Sequence, residues 1–178
     1  MVLPLLPVLL FLAAAQAPRA PFVATPPDVV GRMLTLAGVT QKDVVYDLGC
    51  GDGRIVIAAA RTFGARGVGV DIDPMRVAEA RRNAALAKVE HLVTFRVEDA
   101  LETDVSAATV VTLYLLASQN VAIKPALMKQ LRPGARVVSH NFAMGDWEPD
   151  VVDTFTSADG QTRTLYLWRI SSAPSPAR

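Results

Sequence analysis

Three glycines in five positions, Gly49-Cys50-Gly51-Asp52-Gly53, follow the run Val44-Val45-Tyr46-Asp47-Leu48 and precede Arg54-Ile55-Val56-Ile57. Glycines so placed allow a tight turn from strand into helix and let the backbone approach a ligand with no Cβ in the way. The loop suits a nucleotide-type ligand, but two common chemistries do not fit it. A dinucleotide fingerprint needs its third glycine at position 54, which is Arg, and no Gly-Lys-Ser/Thr follows to make a phosphate loop. Asp47, two residues before the first glycine, places a carboxylate beside the loop. It would repel a pyrophosphate and attract a cationic group. Asp71 closes a second β-branched run about 20 residues further on, where an acidic residue is the expected partner of ribose hydroxyls.

The elements that must carry these groups follow from periodicity. Thr25 is expected to cap a helix over TPPDVVGRMLTLAGV, with Asp28 three residues on and prolines filling the first turn. After the glycine loop, residues 54–64 read as a helix closed by Gly64, residues 66–72 as a strand, and residues 74–87 as a helix beginning at Pro74. The alternation continues through strands at 93–100 and 108–116, a helix at 118–131 kinked or broken at Pro125, and a strand at 135–142. Two last strands, 151–156 and 162–170, flank the hairpin signal Ala158-Asp159-Gly160. Five strands alternating with helices, then a hairpin, describe a doubly wound, mostly parallel α/β sheet with one antiparallel strand near its edge. Such sheets bind ligands at the carboxyl ends of their strands.

Composition bounds the chemistry. The 178 residues suffice for one domain with a core, and 18 basic against 17 acidic side chains give a net charge of +1. That lacks the basic excess of a protein that holds nucleic acid by its phosphates. One cysteine, Cys50, and two histidines, His91 and His140, cannot build a disulfide or a zinc finger, so no metal is expected.

Residues 1–18 (MVLPLLPVLLFLAAAQAP) carry no ionisable side chain. The stretch matches the apolar core and small-residue end of a secretory signal, but basic residues are missing from its start. As a helix, Val2 to Pro18 would span about 25 Å, slightly short of a bilayer core, with positive charges first at Arg19 and Arg32. An anchor would then leave the main domain in the cytoplasm, a cleaved signal would export it, and a start-site artefact is the third reading of the segment. The expected organisation is a hydrophobic segment at 1–18, one domain at 22–170, and a tail at 171–178 with no apolar content to fold it.

Tyr46-Asp47-Leu48-Gly49-Cys50-Gly51-Asp52-Gly53-Arg54 together with Asp71 resembles the first two motifs of class I S-adenosylmethionine-dependent methyltransferases. The similarity extends through TPPDVV, GVGVDIDP, ATVVTLYLL and VVSHNFAMGDW to a narrower family. These look like bacterial relatives of the mitochondrial lysine methyltransferases that act on the ATP synthase c subunit and the adenine nucleotide translocase. The resemblance implies a seven-stranded Rossmann-like sheet and S-adenosylmethionine as cofactor. It also implies a protein acceptor, one embedded in a membrane. It assigns Asp47, Gly49, Cys50, Gly51 and Gly53 to the methionine part, Asp71 to the ribose and Asp99 to the adenine amino group. Asp73 is expected to cap the helix at Pro74, and Glu98 is the rival of Asp99.

Methyl transfer from a sulfonium is an in-line displacement that asks the protein to align donor and acceptor and exclude water. A lysine acceptor, with an ordinary pKa of about 10.4, must also lose a proton. Tyr114, His140 and Asn141, at the ends of the fourth and fifth strands, are the candidates for assisting, with Phe142 and Trp147 as core or as walls of a lysine channel. Thr112-Leu113-Tyr114-Leu115 stands where amino-methylating DNA and RNA enzymes carry Asn-Pro-Pro-Tyr or Asp-Pro-Pro-Tyr. Small-molecule methylation and cofactor binding without catalysis remain alternatives to protein-lysine methylation.

Overall fold

The computed structural model describes residues 22–171, so the expectations for residues 1–18 and for the tail beyond Ser171 fall outside the described residues. Helix α1 (Pro27–Leu36) precedes strand β1 (Val44–Leu48), followed by α2 (Arg54–Phe63), β2 (Arg66–Asp71), α3 (Pro74–Leu86) and β3 (Val93–Val97). Then come β4 (Val110–Leu113), α4 (Ala117–Gln130), β5 (Arg136–His140), β6 (Val151–Thr156) and β7 (Thr162–Arg169). The seven strands form one sheet in the order β3-β2-β1-β4-β5-β7-β6. β1 to β5 run parallel, and β7 lies antiparallel between β5 and β6. The expected mostly parallel sheet with one antiparallel strand next to its edge is therefore present.

Strand β4 and most of β1 and β5 are buried on both faces, which is why they read as nearly unbroken apolar runs. On one side, Val29, Met33 and Leu34 of α1 and Val56 and Ala59 of α2 cover Val45, Val110, Val138 and Leu165. On the other, Ile123 and Leu127 of α4 cover Leu48, Leu113, Val137 and Trp168. Each such side chain, fully withdrawn from water, contributes about 1.5–3 kcal/mol.

Two local expectations are corrected. Thr25 does not cap α1: Pro26 holds that position without a side-chain bond, and the Thr25 carbonyl accepts from Arg54 Nη1 at 2.9 Å. Asp28 instead accepts from Ser157 Oγ at 2.9 Å and the Ala158 amide at 2.7 Å, fastening α1 to the β6–β7 turn. Between β3 and β4, Asp99 and Asp104 each accept the amide two residues on, at 2.9 Å, and turn the chain. Helix α4 also runs unbroken through Pro125.

At the amino ends of the strands, Asp43 accepts from the Thr40 amide at 2.8 Å, from Thr109 Oγ1 at 2.7 Å and from the Arg136 guanidinium. This hub ties β1, β4 and β5 together on the edge opposite the site.

Candidate cofactor site and active site

The strand order reverses between β1 and β4, and a crevice opens there at the carboxyl ends of the strands. It forms a cleft of about 760 Å³. Its wall includes Asp47, Gly49 and Cys50 from β1 and the loop after it, Asp71 from β2, Asp99 beyond β3 and Tyr114 beyond β4. The topology thus gathers into one cleft residues spread over more than 60 positions of chain, from Asp47 to Tyr114.

The glycine loop is shaped by what lies against it. Gly51 has φ +52° and Gly53 φ +81°, conformations that side chains rarely adopt. A Cβ on Gly53 would sit 2.7 Å from the Phe95 ring, and one on Gly51 would run into the ring of Phe22. Gly49 and Cys50 line the cleft, whereas Gly51 and Gly53 lie outside its wall and serve the backbone path. From that path, the Gly51 amide donates to Asp71 Oδ2 at 2.9 Å. Asp71 Oδ1 accepts from the Asp73 amide at 2.9 Å, so this carboxylate is fixed at both oxygens. Asp73 caps α3 through the Met75 amide, as expected from the sequence.

Asp47 is nearly fully buried and accepts from Thr112 Oγ1 at 2.8 Å. Burial, reinforced by the negative field of Asp71 and Asp52, pushes its carboxyl up to about 7 against the pull of the Thr112 hydroxyl. Asp52 behaves in the opposite way. Burial alone would raise it, but a fork of hydrogen bonds from Arg54 holds it below the usual carboxylate range. Cys50 is buried, and burial together with Asp47 and Asp71 drives its thiol far up, so it is an inert turn residue.

Of the three residues singled out for acceptor chemistry, Tyr114 alone lines the cleft. His140 is fully buried behind it, with ring centroids 4.0 Å apart, and neither ring nitrogen has a hydrogen-bond partner. Burial and the nearby Arg163 press its imidazole down to about 4, so it is neutral at physiological pH. Asn141 has φ +62° and turns its side chain away, accepting the Thr164 amide at 3.1 Å and fixing β5 to β7. Phe142 stacks on Tyr114 at 6.4 Å, while Trp147 packs on Trp168 at 5.6 Å and lies outside the cleft wall. Asp99 lines the cleft and accepts the Leu101 amide at 2.9 Å, whereas its neighbour Glu98 pairs with Arg96 at 3.3 Å.

Sequence reasoning missed Thr112, Phe22, Arg54 and Arg76. Thr112 could have been found, since a hydroxyl in the middle of an apolar strand needs a partner. The other three meet the loop only through tertiary folding.

Asp47, Asp71 and Asp99 have no ion-pair partner among the described residues. An anionic cleft whose buried carboxylate is pushed up by burial and by neighbouring acids fits a ligand bearing a sulfonium, an ammonium and a ribose diol. Known proteins point the same way. Residues 47–151 match the model of the ANTKMT methyltransferase domain. A protein-lysine N-methyltransferase of Saccharolobus islandicus is 46% identical, over 88% of this chain and 97% of that protein. An adenine nucleotide translocase lysine N-methyltransferase of Mus musculus is 31% identical over 75% of this chain, which spans only 58% of that longer protein. Among solved structures, a protein of Salinibacter ruber described as an RNA methyltransferase, crystallised with S-adenosyl-L-homocysteine, is 54% identical. It superposes with a TM-score of 0.80 over 87% of this chain and 98% of that one. The chain belongs to the ANTKMT methyltransferase family, and the cofactor for which its acidic crevice is built is S-adenosylmethionine.

Proposed function

We propose that the enzyme methylates the ε-amino group of a lysine in a protein, and that this protein is embedded in a membrane. The observation that carries the reading is the 46% identity, over 88% of the chain, to a protein-lysine N-methyltransferase, and the charge of the cleft agrees with it. Its wall holds Asp47, Asp52, Asp71, Asp73 and Asp99 against Arg54 and Arg76, and both arginines are paired with acids, Asp52 and Glu79. Such a mouth attracts an ammonium and repels a phosphate backbone. The names of the Saccharolobus and mouse relatives point to lysine, while that of the Salinibacter protein points to RNA, so both acceptors belong in the test.

The cofactor supplies an electrophilic methyl group on a cationic sulfur. Asp47 and the glycine loop would hold its methionine part, Asp71 the ribose and Asp99 the adenine. Tyr114 is the one acceptor-side candidate within reach of the cleft, positioned by the buried His140 ring and by Phe142. Its role would be to orient the incoming amine and to wall out water. Asn141 would hold the end of β5 in place.

Residues 1–18 are read as a membrane anchor with the domain on the cytoplasmic side, where S-adenosylmethionine is available. Among the described residues no helix is long and apolar enough to cross a membrane. The test is to incubate the full chain with radiolabelled cofactor and, separately, membrane extract, soluble extract and total RNA. Label appearing as methyl-lysine in an integral membrane protein is the expected result. Label confined to RNA or to organic-soluble small molecules would overturn the acceptor assignment.

A further inference from the structure

We propose that residues 22–25 form a strap that retains the cofactor, with Phe22 as its fastening and Arg54 and Arg76 as positioning residues. The ring of Phe22 lies on the backbone of Gly51, in the space a side chain there would need. The Arg76 guanidinium sits over the same ring, 4.0 Å from its centroid. Three residues on, the Thr25 carbonyl accepts from Arg54 Nη1 at 2.9 Å, while the rest of that guanidinium is clamped on Asp52. Asn83 Nδ2 in turn holds the Asp52 carbonyl at 3.0 Å.

The strap is therefore fixed at both ends to the glycine loop, and Phe22, Val23, Ala24 and Thr25 all line the cleft. The loop it grips is bonded to the ribose-side carboxylate, through the Gly51 amide on Asp71. Phe22 remains 44% exposed, so a ligand filling the cleft covers apolar surface that the protein alone leaves wet. Release of the ligand must expose that surface again, so the strap's apolar contact adds to the barrier to cofactor and product exchange. The inference holds whichever acceptor the enzyme uses.

The experiment measures the dissociation rate of S-adenosylhomocysteine from the full chain by stopped-flow displacement, alongside the unfolding midpoint of the ligand-free protein. Phe22→Ala is expected to speed dissociation about tenfold, since it removes both the apolar cover and the cation–π contact. Phe22→Leu restores part of the retention, and Arg54→Ala frees Thr25 and speeds dissociation similarly. Arg54→Lys keeps the charge without the fork and fails to rescue. A strap that is mere packing would lower the unfolding midpoint in Phe22→Ala and leave the dissociation rate unchanged; that result overturns the proposal.

Discussion

Thr112 Oγ1 donates a 2.8 Å hydrogen bond to Asp47 Oδ1 from the neighbouring strand, inside the sheet and beneath the cleft. One hydroxyl is all that stabilises a carboxylate which burial and two further acids work to neutralise. A cationic group bound beside it would offset the cost of holding that charge.

Cofactor affinity should therefore depend on pH. With the Asp47 carboxyl at about 7, binding that requires its ionised form weakens about tenfold for each pH unit below neutrality. Thr112→Val removes the stabilising donor and should move the midpoint of that profile upward. Calorimetric titration of S-adenosylmethionine between about pH 5.5 and pH 8.5, the range where Asp47 titrates, checks both statements. A flat profile would remove Asp47 from the cation site.

The same group makes an opposite statement about the ligand-free fold. Its pKa is raised on folding, so the native state holds the proton more tightly, and stability falls as pH rises from about 4 to 7. Asp47→Asn should raise the unfolding midpoint at about pH 8 while abolishing cofactor binding. A variant that is both less stable and unable to bind would show that the carboxylate serves the fold instead.

If Asp71 holds the ribose as proposed, Asp71→Ala should weaken S-adenosylhomocysteine binding by at least about a hundredfold, because the two charge-assisted bonds it would make to the diol are lost. The Gly51 and Asp73 amides lose their acceptor as well. Asp71→Asn keeps one oxygen and should fall between. Equal affinities in calorimetry for wild type and Asp71→Ala would refute the ribose assignment.

His140 titrates in the other direction from Asp47. Its folded pKa of about 4 lies below its unfolded value, so stability is lost as pH falls from about 6.5 toward 4. His140→Leu should remove that acid sensitivity and leave the pH profile of cofactor binding near neutrality as it was. Acid unfolding followed by circular dichroism in the two proteins separates the outcomes.

The Asp43 hub tests whether the far edge of the sheet matters to the site. Asp43→Ala strands Arg136 and the Thr40 amide and should cost about 2–4 kcal/mol in urea unfolding. The folded fraction should bind S-adenosylhomocysteine with unchanged affinity.

Much of this was legible in the chain because the cofactor groups are local. Asp47 and the glycines occupy seven consecutive positions, Asp71 closes an apolar run and Asp99 follows an alternating one, so pattern and chemistry could be read together. What escaped depends on contacts between distant segments. Asp28 looks like a helix-start acid but spends its carboxylate on a turn 129 residues away. His140 and Asn141 follow a strand as acceptor-side residues should. Yet the pleat turns the first inward behind Tyr114, and a left-handed backbone turns the second toward β7. Phe22 carries no motif at all and matters only because the fold lays it on Gly51.

The insertion of β7 between β5 and β6 bears on the order of assembly. β7 is made after both strands it joins, and among the described residues β6 pairs with no other strand. During synthesis the β5 edge, with Val137 and Val138 at its centre, stays open and β6 stays unpaired until Thr162–Arg169 emerges. An open apolar edge of this kind invites pairing with other chains. The nascent protein is thus at greatest risk of aggregation in the interval before its last described strand arrives, and truncations just short of β7 should be captured by chaperones.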